Sequence, residues 1–303
     1  KDNQCDLVVA LGGGSPIDAA KAIAAVATNT AKITDFMGLN KIAKPAAPII
    51  AVPTTAGTGS EVTRFTIITD TARDVKMLIV SDYLMPQAAI VDPLLTLSMP
   101  GWVAASTGID ALTHAIESYI SRKAQPLTEI LSLEAIRMMG TYLRRAWANP
   151  EDLEAKNYVM LASTVAGMAF SNSSVAMVHG MSRPIGACFH VPHGLSNAIL
   201  LPLVMDFSRV AAPEKFADIA DAMGETIDGL TDMEAAQVAV EAVHQLCDDI
   251  KIPRAAELKL KKEEFMKMAP KMAEDAQASG NTGNNPRRPT QEEIIEVYAK
   301  LFE

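Results

Sequence analysis

The feature that most restricts this chain is the stretch from Met177 to His193, Met-Val-His-Gly-Met-Ser-Arg-Pro-Ile-Gly-Ala-Cys-Phe-His-Val-Pro-His, which carries three of the five histidines. Gly180, Gly186 and Gly194 punctuate it. Imidazoles spent so close together are built around something, and a metal ion is the partner their chemistry favours. Further ligands stand upstream in Gly-Ile-Asp110-Ala-Leu-Thr-His114-Ala-Ile-Glu. Four residues make about one helical turn at a rise of ~1.5 Å per residue, so Asp110 and His114 project from one face, stacked ~6 Å apart. Alone, such a pair reads as no more than a polar helix face or an N-terminal-turn acid. Read with the histidine-rich segment, it favours a metal.

We assign the shell to Asp110, His114, His179 and His193. One carboxylate and three neutral imidazoles make a mixed oxygen and nitrogen set suited to Fe, Zn, Co or Ni, and a fourfold shell can leave a position open for substrate. A second arrangement stays open on residue types: Cys188-Phe-His190-Val-Pro-His193 reads as a thiolate with two imidazoles. His190 is otherwise a pocket-wall residue. His244, in a helical run near Cys247, reads as an ordinary surface histidine.

Composition narrows the class. A chain of 303 residues with 49% apolar content suggests two domains with sizeable cores. A net charge of −9 and the lack of any Lys/Arg block argue against nucleic acid as a partner. Three widely spaced cysteines, Cys5, Cys188 and Cys247, are not a disulfide framework and fit a reducing cytoplasm. No apolar run approaches the ~18 residues of a spanning helix, and no basic start leads into an apolar core. A cytoplasmic protein without a membrane partner is expected, assembled as a homo-oligomer, dimer or larger.

The first part of the chain alternates strands with glycine turns. The apolar run Asp6 to Leu11 enters Gly12-Gly13-Gly14-Ser15-Pro16-Ile17-Asp18, followed by an alanine-rich segment to Val26. This predicts strand, turn and helix, with Ser15 as N-cap and Pro16 in the first helical position. Successive glycines let backbone N–H groups approach an anion, and the helix start adds roughly half a positive charge. A phosphate is the expected guest, although the turn matches neither Gly-x-Gly-x-x-Gly nor the P-loop pattern. A second strand, Ile49 to Pro53, opens into Thr54-Thr55-Ala-Gly57-Thr58-Gly59-Ser60-Glu61, whose hydroxyls suit sugar and phosphate oxygens. Val75 to Val80, containing Lys76, and Ala88 to Val91 read as further strands. Such a sheet usually has strands ahead of its first one here, so a segment preceding Lys1 is expected.

After residue 98 the strand-like runs give way to helices. They are predicted from Trp102 to Ser121, Leu127 to Asn149, Glu154 to Ser171, Pro213 to Met223, Asp232 to Asp249, Lys262 to Gln277 and Gln291 to Leu301. Ala162 to Phe170 is apolar nearly all round and reads as a buried central helix. Gly280 to Asn285 reads as a surface loop. The fold class is therefore α/β for residues 1–98 followed by an all-helical domain over residues 99–303.

Four motifs in order, Gly-Gly-Gly-Ser-x-x-Asp-x-x-Lys, Pro-Thr-Thr-Ala-Gly-Thr-Gly-Ser-Glu, Gly-x-Asp-Ala-x-x-His-Ala-x-Glu and His-Gly-Met…Pro-His-Gly, resemble the iron-containing, group III alcohol dehydrogenases from about residue 4 to the C-terminus. The resemblance implies a Rossmann-like N-terminal domain and a helical metal domain, as in dehydroquinate synthase, with NAD(P) in the cleft between them. It carries Gly13, Gly14, Ser15, Asp18, Thr54, Thr55 and Thr58 over as cofactor residues, with Thr63 and Lys76 after them. Asp110, His114, His179 and His193 correspond to the family's metal ligands. Members commonly start earlier, and that part holds the acidic residue that helps choose NAD over NADP, so NAD is expected with NADP open. Many members have histidine where this chain has Arg183. A guanidinium cannot shuttle a proton, so Arg183 is expected beside the substrate, favouring an anionic or hydroxyl-rich group, and His190 is the candidate for proton exchange.

The implied reaction is reversible hydride transfer between an alcohol and nicotinamide, assisted by Fe²⁺, or by Zn²⁺ or another divalent ion. Two alternatives are an enzyme of the dehydroquinate synthase or glycerol dehydrogenase type on the same fold, and a non-catalytic metal- or nucleotide-binding protein.

Overall fold

The computed structural model describes residues 4–73 and 75–303. The chain enters β1 (Val8–Gly12), turns into α1 (Gly14–Thr28), and continues through β2 (Gly38–Leu39), β3 (Ile49–Pro53), β4 (Phe65–Asp70), β5 (Val75–Val80) and β6 (Ala88–Ala89). One sheet has the order β1-β3-β6 and is parallel throughout. The other has the order β2-β5-β4, with β4 antiparallel to β5. Val8 stands opposite Ile49 and Gly12 opposite Pro53, so β1 and β3 end level and the turns that follow them lie side by side. The amide of Thr54 donates to the carbonyl of Gly12 at 3.0 Å, joining the two turns.

Helix α1 lies between the sheets, and its alanines allow the close approach. Ile17, Ala20 and Ala24 pack on Ala10, Ile49 and Ala51 of the first sheet, while Ala25 meets Phe36 and Ile79 toward the second. Lys21, fully buried, crosses to the second sheet and donates from Nζ to the carbonyls of Thr63 (2.7 Å) and Phe65 (2.9 Å) and to Thr63 Oγ1 (3.1 Å). Burial pulls its pKa down to about 8, with Asp18 and Glu61 opposing that shift.

Two expectations are corrected. Ser15 does not cap α1: the helix starts at Gly14, Gly13 is the N-cap residue, and no side chain caps it. The glycine turn runs straight into the helix because Gly12 adopts φ +145° and Pro16 fills the space that a Gly12 side chain would need. Proline is tolerated there since first-turn N–H groups have no helical partner. The second sheet was also not foreseen, although Thr66, Ile67, Ile68 and Thr69 make β4 a β-branched run.

From residue 101 the described elements are helical: α2 (Gly101–Ile120), α3 (Pro126–Ala148), α4 (Leu153–Ser173), α5 (Met177–Phe189), α6 (His193–Arg209), α7 (Pro213–Ala222), α8 (Asp232–Asp249), α9 (Lys262–Ala278) and α10 (Gln291–Ala299). Seven match the expected spans to within a few residues. The other two, α5 and α6, contain Pro184 and Pro202 and divide the histidine stretch between them. Helix α4 buries Ala162, Ala166 and Ala169, with Met168 on its open side. It meets α5 at 102° through Ser174, whose φ is +69°. Among the described residues no single helix is long and apolar enough to cross a membrane.

The turn after β3 is wedged against the helices. A Cβ on Gly57 would come within 2.6 Å of Thr107 Cβ in α2, and one on Gly59 within 2.7 Å of the Gly167 Cα in α4. Glu61, buried, accepts from Thr164 Oγ1 of α4 at 2.7 Å. Gly59 also holds φ +59°, so Gly59→Ala adds left-handed strain of ~1–2 kcal/mol to a backbone clash. Urea denaturation of this variant should show a loss of at least ~2 kcal/mol. An unchanged midpoint would mean that the turn can retreat from α4 without cost.

Candidate metal centre and cofactor turns

Three helices bring the predicted ligands together. Asp110 and His114 sit one turn apart on α2, His179 is the third residue of α5, and His193 is the first of α6. Ligand atoms of Asp110, His114 and His179, all buried, lie within 4.8 Å of one another. Nε2 of His179 is 3.7 Å and Nε2 of His193 is 3.8 Å from Asp110 Oδ1. The His193 side chain is 44% exposed, so the cluster opens on that edge. The thiolate arrangement is not what forms: Cys188 lies nine residues past His179 on α5, ~14 Å along the axis. His190 is exposed, at the C-cap of α5 with φ +56°.

The outward nitrogens fix the tautomers. His114 Nδ1 is 3.3 Å from the carbonyl of Gly57, and His179 Nδ1 is 2.6 Å from Glu117 Oε2. A backbone carbonyl and an ionised carboxylate can only accept, so with Glu117 ionised both Nδ1 atoms carry the proton and both Nε2 lone pairs are free. The buried side chain of Asn197, one turn after His193, places Nδ2 at 2.5 Å from Asp110 Oδ1, 3.1 Å from His179 Nε2 and 3.2 Å from His193 Nε2. The opposite amide orientation would set an oxygen against the carboxylate. Asn197 Oδ1 is buried without a hydrogen-bond partner.

Desolvation keeps these rings neutral. Burial pushes His114 down to about 4 and lowers His179 well below the ordinary imidazole range. Burial lowers His193 too, against the opposing pull of Asp110 and although its side chain is 44% exposed. Burial raises Asp110 against the opposing pull of His193 and Asn197, and lifts Glu117 to about 7. Phe170 stacks on His114 with centroids 4.2 Å apart, and His114 on His179 at 4.5 Å, which closes the inner side with apolar faces. One carboxylate oxygen and three unprotonated Nε2 atoms directed at a common region fit a borderline divalent cation.

Glu117, Asn197, Gly57 and Phe170 were not singled out from the sequence. The first two had a signal: Glu117 is three residues past His114 and Asn197 four past His193, which puts each on its ligand's helix face.

The two turns expected to take the cofactor face each other. A Cβ on Gly13 would stand 3.2 Å from Thr55 Oγ1, and one on Gly14 2.8 Å from Thr58 Cγ2. Thr54, Thr55 and Thr58 are half-buried and Ser15 is exposed. Asp18 and Thr63 point inward. Asp18 accepts from Ser60 Oγ (2.7 Å) and the Ile67 amide (2.9 Å), and the Thr63 hydroxyl bonds to Lys21 and the Ser60 carbonyl. Their polar atoms thus serve the fold. Lys76 is exposed on β5, opposite Thr69. Arg183 is half-buried one turn past His179, close enough for its charge to act on His114, His179 and His193.

Residues 104–302 match the family model for the C-terminal part of the Fe-containing alcohol dehydrogenase family, and residues 1–93 match that for iron-containing alcohol dehydrogenase. The chain is 44% identical over 303 residues to 1,3-propanediol dehydrogenase of Citrobacter freundii, covering 100% of this chain and 77% of that protein. It is 39% identical over 298 residues to the NAD-dependent methanol dehydrogenase of Bacillus methanolicus, covering 98% and 77%. The crystal structure of a 1,3-propanediol oxidoreductase superposes with a TM-score of 0.96 at 43% identity, over 99% of this chain and 78% of that one.

Asn197→Ala removes the donor that Asp110, a buried carboxylate, uses at 2.5 Å. In chelator-treated protein the loss of unfolding free energy should be ~1–3 kcal/mol by urea titration. A wild-type curve would show that solvent readily replaces the amide.

Proposed function

Because the chain belongs to the iron-containing alcohol dehydrogenase family, we propose that Asp110, His114, His179 and His193 hold its divalent cation, Fe²⁺ or alternatively Zn²⁺. Gly13, Gly14, Ser15, Thr54, Thr55 and Thr58 bind NAD, with NADP as the alternative. The protein is a metal-dependent alcohol dehydrogenase that interconverts a small alcohol and its aldehyde or ketone. What supports the residue assignment most is the convergence of three buried ligands within 4.8 Å, with both tautomers set from outside.

When bound, the cation supplies Lewis acidity toward the alcohol oxygen and the nicotinamide supplies the hydride acceptor. The chain supplies the surroundings. Gly57 and Glu117 hold the imidazole protons outward, and the Phe170 ring excludes water from the inner face of His114. The glycines of the first turn allow close backbone approach to a pyrophosphate, and the threonines of the second offer hydroxyls from the other side. Asp18 and Thr63 act through the shape of the turn, and Lys76 reaches the ribose from β5. Arg183 attracts an anionic or hydroxyl-rich substituent on the substrate, and the exposed His190 exchanges protons with solvent. We take residues 1–98 as the dinucleotide-binding domain and 99–303 as the metal domain, in a cytoplasmic homo-oligomer.

Chelation followed by reconstitution with Fe²⁺ or Zn²⁺ should abolish and then restore NADH production from 1,3-propanediol and other short alcohols. His179→Ala should lower both metal content and kcat/KM by more than ~100-fold; a variant that kept both would remove His179 from the shell. Arg183→Ala should lower the rate with a carboxylated alcohol relative to a neutral one by ~10-fold or more, the worth of a charged hydrogen bond. An unchanged ratio would leave Arg183 without a part in substrate choice.

A further inference from the structure

Glu117 is the one carboxylate within hydrogen-bond reach of a candidate ligand's outward nitrogen among the described residues, and it is 1% exposed. Its two oxygens have different work. Oε1 accepts from the amides of Val178 (2.5 Å) and His179 (3.4 Å), which belong to the first turn of α5. The N-cap residue of α5 is Ala176, which offers no side-chain cap, so a carboxylate from α2 takes that place. Oε2 accepts from His179 Nδ1 at 2.6 Å. One side chain therefore fixes where α5 begins and how the first functional ring on it is turned. Asn197 Nδ2 lies 3.1 Å from His179 Nε2, a contact that fits a lone pair at that nitrogen.

We propose that Glu117 is a positioning residue for the reaction: by capping α5 and holding the His179 proton on Nδ1, it keeps the Nε2 lone pair aimed at the cation and so sets metal affinity. This rests on the metal site proposed above. The carboxylate is needed because every donor it meets, Val178 N–H, His179 N–H and His179 Nδ1–H, requires an acceptor. A glutamine has one. Its oxygen must stay on the backbone amides, whose N–H groups cannot turn away, so its NH₂ group would face Nδ1. That ring then accepts at Nδ1 and carries its proton on Nε2, pointing into the ligand cluster. Helix capping survives while the ligand is lost, which separates the positioning role from a merely structural one.

The test compares Glu117→Gln with wild type for Co²⁺ binding by chelator competition, for the visible absorption of bound Co²⁺, and for the thermal midpoint of chelator-treated protein. Expected are a ~10 to ~100-fold loss of Co²⁺ affinity and a changed Co²⁺ spectrum, with a metal-free midpoint near wild type. Unchanged affinity and spectrum would overturn the proposal, and so would a lowered midpoint with unchanged affinity, which would leave Glu117 as a cap alone. If the variant does not fold, histidine ¹⁵N chemical shifts of metal-free wild type decide: protonation of His179 at Nδ1 supports the proposal, and protonation at Nε2 overturns it. Wild-type protein that took up no Co²⁺ would overturn the metal site itself and this role with it.

Discussion

The fold depends on how closely the turn from Thr54 to Ser60 is pressed against α2 and α4. At Gly57 and Gly59 the approach leaves no room for a side chain, and between them the Gly57 carbonyl reaches His114 Nδ1. A contact made by backbone is stiffer than one made by flexible side chains, since the peptide has only two soft dihedrals per residue. The same seven residues that present threonine hydroxyls to the first glycine turn therefore also orient a ring on the helical side. Lys21 braces this arrangement from below: it ties the end of the turn, Thr63, to α1, and α1 begins at the glycines. Parts of the chain that are far apart in sequence are thus registered to within hydrogen-bond tolerance.

The electrostatics follow from that packing. Imidazoles in water titrate near neutrality, and a ligand that spends part of its time protonated competes poorly for a cation. Stacking Phe170, His114 and His179 face to face removes water from the rings and makes the charged forms expensive. The same desolvation raises Asp110 and Glu117, so their ionised forms depend on the donors they meet and on positive charge close by. Each carboxylate keeps donors that a buried acid needs: Asn197 for Asp110, the α5 amides and His179 for Glu117. A cluster built this way is costly to desolvate and favourable to fill.

The residues that cluster, Asp110, His114, His179 and His193, were more legible in the sequence than the elements that carry them. Asp110 and His114 were legible because four residues is a helical turn, and the seven helices with uninterrupted periodicity were legible for the same reason. Helices α5 and α6 were not, because Gly180, Pro184, Gly186 and Pro202 carry breaker signals whose cost is local, whereas the burial of Met181, Ile185, Leu200 and Leu201 that outweighs it is tertiary. Ser15 misled by type: serine is a favoured cap, yet Gly12, with positive φ three residues earlier, had already turned the chain. Asp18 and Thr63 lay inside motifs that a nucleotide turn would carry, and spacing cannot tell a side chain that touches a ligand from one that bonds within the fold, as Thr63 does to Lys21 and Asp18 to the Ile67 amide. Lys21 itself, a lysine on an alanine-rich helix, reads as a surface residue until the second sheet covers it.

Arg183 shows what the burial of a single charge requires. Its guanidinium stays protonated even where desolvation lowers its pKa, so it adds a lasting positive charge beside three rings that cannot accept a second. Glu117 offsets it only at long range, since no carboxylate lies within 4.0 Å of Arg183 among the described residues. A cation in the shell would add to that excess. The proposed chemistry supplies negative charge when the alcohol ionises, and an anionic substituent on the substrate would supply more. A histidine in this position could relieve the imbalance by losing its proton, whereas arginine cannot. In the proposed role of Arg183, selection is then electrostatic and acts on the substrate's charge.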